Sequence, residues 1–224
     1  MIIYYLYLIT AAYIVAFGVL LFVSCNKKVF SYRVFAKGFN SMLFVSMATA
    51  GLVFVNQNKQ MIWMLPAFLG CFAGDIFLAI TDKEGHKRFM REGTLAFMLG
   101  HILFVGALGA ICPLQITQMV IPCVGTLIVY LSLHLFHLET GKMKPYVLCY
   151  AFLVSLLFSK GVAIYNQFGD MRAIIILAGV ASFLLSDYLI LFIYFGKKKV
   201  TALRLLNMLT YYLAQYLLAL SLFM

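Results

Sequence analysis

The sequence predicts an all-α fold, a polytopic membrane helix bundle of eight transmembrane helices, and three observations support it. Of the 224 residues, 65% are hydrophobic and 11% charged, and the mean hydropathy is +1.02; a soluble domain is about half apolar and a quarter charged. Apolar stretches of roughly 20 residues, the length that crosses a bilayer, recur along the chain. The loops between them are short, so we expect a single membrane domain over residues 1–224.

The apolar stretches follow one another in order, and each ends at a polar or basic segment. Lys27 and Lys28 stop the first stretch, and the GKKKVT segment at 196–201 separates the last two. Five cysteines show no C-x-x-C spacing, so we expect neither a disulfide nor a thiolate metal site. The predicted spans are 2–24, 36–55, 61–81, 94–111, 118–138, 146–165, 172–195 and 203–223.

Basic residues orient this predicted bundle, because they concentrate in the odd-numbered loops. The positive-inside rule makes those loops cytoplasmic and places both termini outside a multi-pass protein of the cell membrane, the inner membrane in a bacterium. The formal charge of +10 then reflects topology and contact with lipid head groups, and no nucleic-acid partner is expected. The residues concerned are Lys27, Lys28, Arg33, Lys83, Lys87, Arg88, Arg91, Lys142, Lys144, Lys197, Lys198, Lys199 and, just inside the last span, Arg204.

Two aspartates within apolar spans indicate an internal repeat. Asp75 lies in AGDIFL of the third span and Asp187 in LSDYLI of the seventh, 112 residues later. The spans that follow contain FMLGH (97–101) and YYLAQ (211–215), which share an aromatic-x-x-small-polar pattern. We therefore predict parallel half-repeats, 1–111 and 112–224, related by a pseudo-two-fold axis along the membrane normal.

The polar residues of the spans form the predicted site. Ionisable residues in spans are costly and are functional by default, although a structural carboxylate bonded to a neighbouring helix is the alternative. Lys37 could instead extend to the interface, His101 could be a bonded core histidine, and the tyrosines and glutamine could serve packing. His134 and His137 with Glu139 are too few ligands for zinc, so no metal is expected. The candidates are Asp75 and Asp187 as the catalytic pair, with Lys37, His101, Tyr150, Tyr211, Tyr212 and Gln215 around them.

A buried pair of carboxyl groups suits acid–base chemistry. Two such groups close together share one proton near neutral pH, giving one acid and one base. That suits addition of water to an acid-labile bond of an amphiphilic substrate. The residues alone leave two active functions open, a lipid-directed hydrolase and a proton-coupled transporter or flippase of lysolipids or small amphiphiles. A structural or lipid-sensing protein is a third possibility.

Several short motifs, in this order, resemble those of the YhhN-type lysoplasmalogenase family of eight-span membrane proteins. They are Gly74-Asp75, FMLGHILF (97–104), GVASFLLSDYLI (179–190) and TYYLAQ (210–215). Pro145 and Tyr150 resemble the family's sixth-span Pro and Tyr. Lys37 falls where that family has Lys-Pro, but Gly38 replaces the proline here.

The resemblance implies hydrolysis of the vinyl ether bond of alkenyl-lysophospholipids to a fatty aldehyde and glycerophosphoethanolamine or glycerophosphocholine. One aspartate would protonate the vinyl ether and the other would stabilise the cation and orient water, with neither role assigned to Asp75 or Asp187 in particular. His101, Tyr211 and Gln215 would hold water and the ether oxygen, and Lys37 would meet the phosphate. The resemblance implies no cofactor, and the expected partners are the lysophospholipid substrate and membrane lipid, with no obligate protein partner.

Overall fold

The computed structural model describes residues 2–26, 28–55, 59–84, 87–197 and 200–224. Within these ranges the chain is helical and contains no strand, which confirms the all-α prediction. Lys27, Lys198 and Lys199, three of the residues used to predict sidedness, lie outside the described residues. The helices are α1 (Ile2–Cys25), α2 (Arg33–Phe54), α3 (Met64–Glu84), α4 (Lys87–Gly109), α5 (Val120–Leu135), α6 (Lys144–Phe168), α7 (Met171–Phe195) and α8 (Thr201–Leu220).

Seven helices in the described part of the chain are long and apolar enough to cross a membrane, as judged by length and composition. The chain is thus a multi-pass membrane protein. The remaining long helix, α2, falls short because it includes Lys37, Asn40 and Ser41, which are buried inside the bundle. Its polar groups therefore face protein rather than lipid.

Several helix ends differ from the ends of the predicted spans. Helix α4 begins at Lys87 rather than at 94, because Lys, Arg and Met are good helix formers. Helix α5 ends at Leu135 rather than at 138, and His137 follows with a positive φ of 50°. The turn between α6 and α7 is short because Gly169, at φ 62°, ends α6 and Asp170 caps α7 by accepting from the Ala173 amide at 2.7 Å.

The helices pack as two sets of four, and contacts between the sets close the bundle. Successive helices pack together within α1–α4 and within α5–α8, while α4 packs on α6, and α8 packs on both α2 and α1. Lys160 ties the segment after α4 to α6, because its buried ammonium donates to the carbonyl oxygen of Cys112. The largest fully buried side chains include Phe44, Phe68, Phe104, Phe183 and Tyr212.

Glycines bring α3 and α4 close together beside Asp75. A Cβ built on Gly70 would lie 3.1 Å from the carbonyl oxygen of Ala96, and one on Gly74 would lie 2.5 Å from the Phe97 ring. The Phe97 ring therefore occupies the space that a side chain at position 74 would need. In turn, the close approach brings the residues of α4 up to the face of α3 that carries Asp75.

We expect Gly74→Ala to lower the melting temperature in detergent, because overpacking a well-packed contact costs about 1–3 kcal/mol. The matched control is Gly106→Ala on α4, where a new Cβ would meet nothing within 4 Å. That variant should be neutral or slightly stabilising, since alanine favours the helix over glycine by about 1 kcal/mol. Equal melting temperatures for the two variants would contradict the close packing at position 74.

Candidate active site

Asp75 is held by donors from α2 and α8. Its Oδ2 accepts from Ser41 Oγ at 2.6 Å and from Tyr211 Oη at 2.7 Å, and its Oδ1 lies 3.0 Å from Lys37 Nζ. The carboxyl group is 1% exposed, so these donors take the place of water. An ammonium and two hydroxyl groups thus surround this carboxyl group.

Asp187 has a different set of partners, drawn from α6 and α4. Its Oδ2 accepts from Tyr150 Oη at 2.8 Å and lies 3.4 Å from His101 Nε2. His101 Nδ1 lies 2.7 Å from the Phe97 carbonyl oxygen, which can only accept, so Nδ1 carries a hydrogen. The other ring nitrogen, Nε2, faces Asp187. A hydrogen bond between Asp187 Oδ2 and His101 Nε2 needs one proton, which either the carboxyl group or the ring can carry.

A large apolar cavity of about 620 Å³ lies between α4, α5, α6 and α7. Val120 and Val124 of α5, Val154 and Phe158 of α6 and Leu184 of α7 are among its walls. Asp187 is the one ionisable carboxyl group among its described lining residues. The size falls within the range of pockets that bind small molecules, and the walls suit a hydrocarbon chain.

A second, small cavity of about 30 Å³ is polar and lies against α2, α7 and α8. Asp75 and Asp187 both line it, and so do the cationic side chains of Arg33, Lys37 and Arg204. The two cavities share five lining residues, Leu78, Phe97, Asp187, Ile190 and Tyr194. Asp187 therefore lies where an apolar space meets a polar, cation-lined one.

The remaining candidates lie close to this cluster. Tyr212 lines the small cavity and its hydroxyl lies 3.5 Å from the Lys37 carbonyl oxygen. Gln215 is fully buried beside the Cys71 thiol, and within the described residues neither end of its amide has a partner of hydrogen-bond geometry. A buried amide of this kind is a site for an ordered water.

The structure thus brings together all eight candidates taken from the sequence. One of them, Lys37, is ion-paired with Asp75, a contact that the sequence reasoning did not anticipate. Three further residues join the site. Ser41 was missed, although it lies one helical turn after Lys37 and so on the same face of α2. Arg33 and Arg204 were assigned to topology alone, yet both line the small cavity.

The fold and this cluster define a class: a multi-pass membrane protein with two buried carboxyl groups, one at the junction of an apolar and a cationic space. The profile of the YhhN family matches residues 32–222, and the chain belongs to that family. The match spans every helix except α1 and includes all the residues of the site. No curated protein and no solved structure matches the chain.

We expect Lys37→Met to lower stability by about 3 kcal/mol or more, because it leaves the buried Asp75 carboxylate without its ammonium. In a protein of this size that corresponds to roughly 6 °C or more in melting temperature. Adding Asp75→Asn removes the unpaired charge, so the double variant should melt above Lys37→Met. Melting curves of the two single variants and the double variant in one detergent measure this coupling, and strictly additive shifts would mean that the ion pair contributes nothing.

Proposed function

We propose that this chain is a lysoplasmalogenase-type hydrolase that cleaves the vinyl ether bond of alkenyl-lysophospholipids, releasing a fatty aldehyde and glycerophosphoethanolamine or glycerophosphocholine. The observation that carries the proposal is the position of Asp187 at the junction of the two cavities. Membership of the YhhN family is consistent with it.

The place of Asp187 between the two cavities matches the place of the vinyl ether between the hydrocarbon chain and the head group. In an alkenyl-lysophospholipid the vinyl ether joins the hydrocarbon chain to a glycerol that carries the phosphate. With the chain in the large apolar cavity and the head group toward the cation-lined one, the vinyl ether lies beside Asp187. Proximity of this kind contributes a large share of the rate enhancement in acid catalysis.

Asp187 is the proton donor in this mechanism. Its proton moves to the β-carbon of the vinyl ether, the carbon–carbon double bond supplies the electron pair, and an oxocarbenium ion forms at the α-carbon. His101 Nε2 faces the same carboxyl group and can accept a hydrogen bond from the protonated acid, because the ring hydrogen is on Nδ1. Tyr150 Oη donates to the same carboxyl oxygen and orients it.

Asp75, which pairs with the Lys37 ammonium, stabilises the developing positive charge electrostatically. Water held near the Gln215 amide and Tyr211 adds to the α-carbon and returns a proton to Asp187. The resulting hemiacetal then collapses: its hydroxyl proton passes to the departing glycerol oxygen and the carbonyl of the aldehyde forms. One water is consumed and the carboxyl groups end as they began.

The proposal includes eight spans, cytoplasmic odd-numbered loops with both termini outside, and two half-repeats. Burial of the polar side chains of α2 supports counting it as a span. Helix contacts support the repeat, because the pairings among α1 to α4 recur among α5 to α8 and the contact of α2 with α8 corresponds to that of α6 with α4. Each aspartate takes partners from the helix before it and from the last helix of the other half.

The first test is product formation by the purified protein in detergent. Wild type given an alkenyl-lysophospholipid should release aldehyde, measured with a coupled aldehyde dehydrogenase. Asp187→Asn should lower kcat by at least about 100-fold, the contribution of a positioned general acid. Asp75→Asn should also lower kcat, while Asp170→Asn, an exposed helix cap that asparagine preserves, should match wild type.

A proton-coupled transporter or flippase would give a different result. It would release no aldehyde in detergent and would move lysolipid only across a sealed membrane. Full activity in both Asp75→Asn and Asp187→Asn, with aldehyde still formed, would reject the paired-carboxyl mechanism while leaving the enzyme itself in place.

The second test addresses the apolar cavity. Ala181 lines it on α7, about 9 Å along the helix from Asp187 at 1.5 Å per residue. We expect Ala181→Phe to shorten the cavity and lower kcat/KM for long alkenyl chains by about tenfold or more, because each methylene kept out of it forfeits ~0.8 kcal/mol. Short-chain substrates should lose far less. Ala12→Phe, at an exposed position of α1, is the matched control, and equal losses for all chain lengths would contradict the assignment.

A further inference from the structure

The small cavity has a basic rim that the proposed reaction does not use. Arg33 is the first residue of α2 and is 4% exposed, and Arg204 lies in the first turn of α8. Both line the cavity that contains Asp75 and Asp187. These arginines line the same space, one from each of two helices that pack on one another.

Packing holds the Arg33 guanidinium beside the cavity. Its carbon atom lies 5.4 Å from the centre of the Phe30 ring, and Nη2 lies 3.9 Å from Met208 Sδ. Met208 also lines the cavity. An arginine fixed against an aromatic ring loses less side-chain entropy when it binds an anion than one that is free to move.

The distances along the helices place Arg33 one turn, and Arg204 two turns, from residues that contact Asp75. Lys37 lies one turn after Arg33, so Arg33 is about 6 Å farther along α2 than the ammonium-bearing residue that pairs with Asp75. Arg204 is about 10 Å along α8 from Tyr211, the other partner of Asp75. In a glycerophospholipid five bonds separate the ether oxygen from the phosphorus, which is about 6 Å in an extended chain.

We propose that Arg33 and Arg204 form the phosphate subsite of the protein and bind the phosphodiester of a lysophospholipid. Guanidinium groups match phosphate oxygens in two-point geometry, which an ammonium cannot do. Lys37 is engaged with Asp75 and serves the carboxylate, so the role first expected of Lys37 passes to the two arginines. The identity of the lipid rests on the proposed function, but the subsite itself does not require that any bond be cleaved.

The experiment compares two substrates that differ only in the phosphate. One is a 1-alkenyl-glycerophosphocholine and the other is the 1-alkenylglycerol of the same chain length. Arg204→Gln and Arg33→Gln should each lower the ratio of kcat/KM between them by roughly tenfold to 100-fold, the effect of losing hydrogen bonds to a charged group. Arg204→Lys, which keeps the positive charge but lacks the paired N–H donors of the guanidinium group, should give an intermediate ratio.

A ratio of this kind separates a binding role from a structural one, because a misfolded fraction lowers both rates equally. Lys28→Gln removes a charge from an exposed position five residues before Arg33 and should keep the wild-type ratio. A wild-type ratio in both Arg33→Gln and Arg204→Gln overturns the subsite. So does a ratio that falls equally in Lys28→Gln, since that would report only general surface charge.

A measurement of lipid binding tests the phosphate subsite without requiring catalysis. A 1-alkyl-glycerophosphocholine, which has no vinyl ether, should bind wild type more tightly than the matching 1-alkylglycerol, and Arg204→Gln should remove that difference. If wild type makes no aldehyde from any substrate, the proposed function fails while this comparison still decides the subsite. Equal binding of the two lipids overturns it, as does Arg204-dependent binding of inorganic phosphate alone without any preference for the phospholipid.

Discussion

Two carboxyl groups buried in an apolar bundle require partners, since an isolated charge there costs several kcal/mol even after relaxation. The helices of this protein are arranged to supply them. Asp75 on α3 draws donors from α2 and α8, while Asp187 on α7 faces donors on α6 and α4. Each carboxyl group thereby joins helices from both parts of the chain, so the polar contacts of the site also hold the bundle closed.

The two carboxyl groups differ because their partners differ. Asp75 is ion-paired with the Lys37 ammonium and accepts from two hydroxyl groups. A histidine whose Nδ1 is bonded to a carbonyl oxygen can take or return a proton only at Nε2, the atom that faces Asp187. Under the proposed mechanism Asp75 stabilises charge and Asp187 transfers a proton, which is the division of roles that acid catalysis of hydrolysis needs.

Much of this could be predicted from the sequence, because polar residues in apolar spans are few and have to meet one another. That reasoning is sufficient for the all-α fold and for grouping His101 and Tyr211 with the aspartates. The ion pair of Lys37 with Asp75 could not be foreseen, since it depends on the rotation of α2 about its axis. The large cavity could not be predicted from the sequence either, because it is a gap between helices. Helix α1 packs against α8, where the Tyr13 hydroxyl donates to the Tyr212 carbonyl oxygen at 2.7 Å. Helix α5, in contrast, is separated from α4 by the cavity.

That gap bears on which lipids the proposed site accepts. The apolar cavity has about 620 Å³ and the polar one about 30 Å³, so a hydrocarbon chain fits the first and not the second. Burying a second chain, on the middle carbon of the glycerol, in the cation-lined space would displace the water and anions that arginines require. Under the proposed function we therefore expect a preference for lysolipids, because the acid lies at the boundary between an apolar space and a small cation-lined one.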